Sequence, residues 1–179
     1  MRNYTMKEYD LHQLLESKEK LNSVIRSLQE KEIFQKQKVD SEEIKGHLMK
    51  ARHNLRFVSE NIKLQFYDWA VTGCYYASYH AALSLILTKG YASKNHLATL
   101  CILIKEFYKT ELNEDDLEAF SEMLDYQDVL FYVESKNKRE DATYSTKIVF
   151  NQKEVDQLKL KAVLFVHKIE GILDKGIHP

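Results

Sequence analysis

The stretch Asp68–Gly90, DWAVTGCYYASYHAALSLILTKG, decides the fold. It is apolar on nearly every side, so it reads as the central, most buried helix of an assembly of helices. Ala70, Gly73, Ala77, Ala81 and Ala82 leave room for neighbouring helices to approach closely. Gly90 is placed to end the helix in the left-handed conformation. At helical spacing, Tyr76, His80, Leu83 and Leu87 share one stripe, and Tyr75, Tyr79, Ala82 and Ile86 the next. Two readings of these aromatics stand side by side. Their polar tips bond to neighbouring helices inside a core, or they line a cleft that orients a ligand or stacks a base.

Upstream, Ile44, Leu48, Ala51, Leu55, Val58 and Ile62 recur at spacings of four and three. That is the clearest amphipathic seam in the chain. Asp40 or Ser41 caps this helix, and Glu42 and Glu43 sit in its first turn, where the helix dipole favours them. Before it, residues 1–38 are rich in Lys, Glu and Gln. Leu11, Leu14, Leu15, Leu21, Val24, Ile25 and Leu28 make one apolar stripe with a gap, and a break falls near Lys38–Ser41. Downstream, YASKN reads as a loop. A helix follows over about His96–Thr110, and another starts at Asn113, which caps Glu114, Asp115 and Asp116. The tract 134–150 is polar and then β-branched, and a last helix spans about Lys153–Asp174. No segment sustains period-two alternation. The expected class is all-α: an antiparallel up-and-down bundle over 41–179 with an N-terminal helical extension over 1–40.

Composition agrees. One Pro and 5 Gly in 179 residues leave few helix breakers, and 44% hydrophobic with 30% charged residues suits a globular core. The net charge of −1 excludes nucleic-acid coating through bulk charge, so any such contact needs a local patch. Cys74 and Cys101 lie in apolar helical patterns without ligand spacing and read as buried free thiols. The start does not read as a signal peptide and no run reaches membrane-spanning length. A cytoplasmic protein with no membrane contact is expected.

Chemical motifs are sparse. The chain has no P-loop, GxGxxG, GxSxG or HExxH, and its histidines make no metal spacing, so neither a metal nor another cofactor is expected. His96, behind Ser93, Lys94 and Asn95, reads as a capping or surface residue at a helix start. KNKREDATY, residues 136–144, is a local cationic cluster in a chain of nearly neutral charge. Lys136, Lys138 and Arg139 could hold a phosphate, with Arg139 the best bidentate candidate. The plainer reading is a solvated helix end neutralised by Glu140 and Asp141.

These segments together resemble the HEPN family of small helical-bundle proteins. The family's helix pattern has counterparts at Ala51 and Leu55, then Ala70, Val71, Tyr75–Ala77, Tyr79–Ala82, Leu87, Gly90, Ser93 and His96. Its R-x-x-A-D-Y tract corresponds to Arg139, Ala142 and Tyr144, with Thr143 at the Asp position. The resemblance covers about residues 42–174. It implies a bundle that commonly dimerises. It also implies a metal-independent ribonuclease with an R-x4–6-H motif, or an RNA- or partner-binding module often paired with a minimal nucleotidyltransferase. The chain departs from the nuclease pattern. Tyr144 stands five residues after Arg139, and the next His is His167. Tyrosine, with a pKa of about 10, is a poor substitute for an imidazole.

Three functions follow. The first is a dimeric RNA- or nucleotide-binding or partner-docking module, with Lys136, Lys138, Arg139, Tyr144, Tyr76, Tyr79, His80 and His96 as binding residues. The second is a ribonuclease toxin using Arg139, Tyr144 and His80. The third is a non-enzymatic scaffold that oligomerises through its N-terminal helix.

Overall fold

The computed structural model describes residues 10–139 and 150–177, without the side chains of 127–139 and 177. The described residues form seven helices and one two-stranded sheet. The helices are α1 (Leu11–Glu16), α2 (Lys18–Glu30), α3 (Ser41–Lys63), α4 (Tyr67–Leu87), α5 (His96–Phe107), α6 (Glu114–Arg139) and α7 (Gln152–Ile177). The strands are β1 (Phe34–Lys36) and β2 (Tyr91–Ser93). The class is all-α, as the patterning predicts. None of the described helices is long and apolar enough to cross a membrane.

α4 is the axis. It packs along α3 and against α5, α6 and α7, and its Ala70, Ala77, Ala81 and Ala82 are fully buried. α3 runs antiparallel to it. Ile44, Ala51 and Val58 of the seam are buried, and Leu48, Leu55 and Ile62 pack half-buried beside them. Asp40 Oδ1 accepts from the Glu42 and Glu43 amides at 2.9 and 3.4 Å, the expected cap. α6 and α7 also run antiparallel, tied by Lys161–Glu122 and by Lys168–Asp116 at 3.7 Å. Asn113 and Asp116 cap α6 reciprocally, each side chain accepting from the other's amide at 2.9 Å.

The N-terminal stripe differs from the single helix its spacing suggests. The gap between Leu15 and Leu21 is a real break. Ser17 closes α1 and its Oγ caps α2 by accepting from the Lys20 amide at 3.1 Å. Leu11, Leu14, Leu21 and Ile25 then enter the same core as α4 and α5. α2 stops at Glu30, ahead of the break expected near Lys38.

The YASKN segment is not wholly a loop. Its first three residues form β2, paired antiparallel with β1 in the register Phe34↔Ser93, Gln35↔Ala92 and Lys36↔Tyr91. The strands precede α3 and follow α4, so they close the base of that helical hairpin. Lys36 Nζ lies 3.3 Å from the Tyr91 ring centroid and donates to the Lys89 carbonyl at 2.8 Å.

Gly90 holds this base. Its φ is +72°, and the Gln37 amide donates to its carbonyl at 2.9 Å. A Cβ at Gly90 would lie 2.8 Å from the Gln37 carbonyl oxygen. Gly90→Ala should therefore cost about 2 kcal/mol, from the left-handed backbone and the collision together. Gly90→Asn tolerates the backbone but keeps the collision, and should recover only part of the loss. Urea denaturation of both variants checks this: an unchanged midpoint for Gly90→Ala would contradict the closure.

Candidate functional site

The tyrosine helix gathers a cluster of aromatic and imidazole rings where α3, α4 and the start of α5 meet. Tyr75 and Tyr79, one turn apart, stack at 5.7 Å between centroids. His96 meets both edge-on, at 5.3 and 5.2 Å. The Tyr75 hydroxyl and His96 Nε2 share a hydrogen bond of 2.6 Å. His96 is half-buried rather than a surface cap, because Asn95 does the capping: its Oδ1 accepts from the Ala98 amide at 2.9 Å. Ser93 Oγ accepts from the Asn95 amide and so fixes the turn that presents His96.

On the adjacent stripe, Tyr76 stacks over His80 at 6.4 Å, and His80 Nδ1 lies 2.9 Å from His47 Nδ1 of α3. With both rings neutral, one Nδ1 carries the hydrogen and the other accepts it. Burial, with smaller contributions from the neighbouring His47 and Lys50 charges, pushes the His80 pKa down to about 4. Burial lowers the His47 pKa too; Glu43 opposes this and Lys50 adds to it. Both imidazoles are thus neutral near pH 7. Burial raises the Tyr79 pKa, with Thr99 opposing. Tyr76 is 42% exposed, against 5% for Tyr75, so of the two it is the ring that solvent reaches.

A cleft of about 390 Å³ lies beside this cluster. His47 and Glu43 line it on one side and Leu83, Tyr91 and Lys94 on others, with Phe34 from β1.

Tyr76, Tyr79, His80 and His96 therefore come together, as the two stripes suggest. Lys136, Lys138 and Arg139 lie on the last turn of α6, and their side chains are outside the described residues, as is all of Tyr144. The backbone still fixes a direction. Met123 packs at the Ala70–Cys74 level of α4, while Leu117 and Phe120 join the core beside Ala77–Leu87. From Met123 to Arg139 the helix rises about 24 Å. It does so away from the His80 end of α4. His47 is the site residue that sequence reasoning passed over. Its partner is 33 residues away, and only the antiparallel register of α3 on α4 joins them.

Cys74 and Cys101 are free and buried, and burial pushes both thiols up to about 12. They are inert as nucleophiles.

Comparison with known proteins identifies the family. The sequence model of the HEPN domain matches residues 44–155. A protein of Methanocaldococcus jannaschii (strain ATCC 43067) named "Putative toxin MJ0142" is 33% identical over 132 residues, which cover 73% of this chain and 82% of the relative.

Proposed function

The chain belongs to the HEPN family, and from that premise we propose that it is a dimeric module that binds RNA or a nucleotide without cutting it. In this reading it serves in a toxin–antitoxin or defence pair, with a minimal nucleotidyltransferase as its protein partner. Arg139, Lys136 and Lys138 grip phosphate, and Tyr144 and Tyr76 stack on or hydrogen-bond the ligand. The observation that carries the reading is that no His follows Arg139 within six residues of the sequence. Tyr144 stands five residues after Arg139, within the span where the family resemblance implies a nuclease's His. Within the chain, His80 is hydrogen-bonded to His47 and His96 to Tyr75. α6 runs away from both. A hydrolytic or transesterification step needs a group that takes and returns a proton near neutral pH. Neither a tyrosine nor an imidazole with a pKa of about 4 does so readily.

The second reading is a metal-independent ribonuclease toxin that uses Arg139 with Tyr144 and His80. The name of the 33% identical relative favours it. One experiment separates the two. The protein is incubated with labelled RNA in EDTA, and binding is measured in parallel by filter retention. We expect intact RNA, with affinity roughly tenfold weaker in Arg139→Ala, the loss of about 1.4 kcal/mol for a charge-assisted phosphate contact. Cleavage that survives EDTA and disappears in Arg139→Ala would establish the toxin reading instead.

A further inference from the structure

We propose that His47 and His80 form the core of a binding site for one divalent cation of the zinc type, which clamps α3 to α4 with Glu43 as third ligand. The inference does not depend on the RNA reading above.

The two Nδ1 atoms face each other at 2.9 Å across the seam, from helices that the chain brings together over 33 residues. Their rings stand 5.1 Å apart at 35°. A neutral imidazole has one ring nitrogen with a free lone pair, so a cation entering between the two Nδ1 atoms takes the place of the hydrogen they share, and the ring that held it carries its proton on Nε2 instead. In a tetrahedral site with Zn–N bonds of 2.0–2.1 Å, two such nitrogens sit about 3.3 Å apart. The pair is within about 0.4 Å of that spacing. Small side-chain motions at a half-buried position cover the difference.

Glu43 supplies the rest. It stands four residues before His47 on the same face of α3, and both line the 390 Å³ cleft. Its Oε2 now accepts from Gln37 Nε2 at 2.7 Å, an exposed contact that a rotation releases. The cleft offers a path for the cation and room for a water as fourth ligand. Two imidazoles and one carboxylate suit zinc, nickel or copper better than magnesium or calcium. Lys50 is the unfavourable neighbour, and the Glu43 charge offsets it. Among the described residues, the ligand atoms that already lie within reach of one common ion are those of His12, Glu114 and Glu118, between α1 and α6, whereas Glu43 joins His47 and His80 only after its rotation. All three are exposed, and His12 already pairs with Glu114 at 3.4 Å. That group serves as the control.

The full chain is stripped with EDTA, dialysed and titrated with Zn²⁺ by calorimetry and with Co²⁺ by visible absorption. We expect one equivalent to bind. Both signals should vanish in His47→Gln and in His80→Gln and persist in His12→Ala. No binding to the wild type overturns the proposal and leaves a simple hydrogen-bonded pair. Binding that is lost in His12→Ala but kept in the other two also overturns it. Should either glutamine variant lose its helical circular dichroism, wild-type long-range ¹H–¹⁵N spectra answer the question. Zinc must shift the Nδ1 resonances of His47 and His80, and unchanged resonances reject the site.

Discussion

Gly73→Val should destabilise the protein by roughly 3 kcal/mol, with most of the loss coming from one helix–helix contact. At Gly73, α3 lies tightly against α4. A Cβ placed there would sit 2.7 Å from Val58 Cγ2, 3.0 Å from Phe57 Cδ1 and 3.6 Å from the Asn54 carbonyl oxygen. Val58 is fully buried and β-branched, so its methyl is held by the one rotamer a helix strongly favours. The helices must separate or the valine must leave its well. Gly73→Ala gives a smaller loss, near 1 kcal/mol, because alanine's better helix propensity offsets part of the collision. The contact makes a further demand. Val58→Ala alone should cost a cavity, yet Gly73→Ala in that background should be nearly free or stabilising. A double-mutant cycle by urea denaturation reads the coupling, which should exceed about 1 kcal/mol. Additive losses would mean that the close approach at Gly73 does not limit the packing. The consequence extends to the site, since the same seam holds His47 against His80 one to two turns further along α4.

Much of this architecture is legible before any coordinates, for a physical reason. α3 and α4 differ in kind. α3 has a solvated face and so shows a stripe; α4 is enclosed and shows none. Those two patterns alone tell which helix lies at the centre. The caps at Asp40 and Asn113 are legible because a short polar side chain before an acidic turn satisfies free amides in only one way. The sheet is not. Three-residue strands are too short to show alternation, and β1 and β2 are separated by the whole α3–α4 hairpin. The break at Ser17 leaves only a gap in spacing, which a curved helix could also produce. The aromatic cluster was half legible. Spacing puts Tyr76 with His80 and Tyr75 with Tyr79, but it says nothing about what faces them. His47 and His96 arrive from other elements, and His96 becomes a partner of Tyr75 only because Ser93 and Asn95 set the angle of α5. The Arg139 tract carries the family likeness in its residue types, while its chemistry depends on what stands opposite, which spacing does not encode.

Phe120→Ala should lower stability by about 3–5 kcal/mol and weaken RNA binding without altering any residue proposed to touch RNA. Phe120 is fully buried on α6 and stacks on Phe165 of α7 at 5.4 Å and 16° between ring planes. Leu117, Met123 and Leu124 flank it, all buried, so α6 is anchored to the bundle over this short span. Truncation removes a ring from the middle of the anchor and leaves a void that the rigid neighbours fill only in part. For a chain of 179 residues, the loss corresponds to a fall in melting temperature of roughly 10 °C. α6 continues from this anchor to Arg139, so a loosened anchor blurs the position of the cationic turn relative to the tyrosine cluster on α4. The two effects can be told apart. At a temperature where Phe120→Ala is still folded by circular dichroism, its RNA affinity should remain below wild type. Phe120→Leu, which restores most of the volume, should recover stability and affinity together. Full affinity in a folded Phe120→Ala would mean that the end of α6 needs no fixed register against α4. Arg139 would then bind its ligand independently of the tyrosine and histidine cluster.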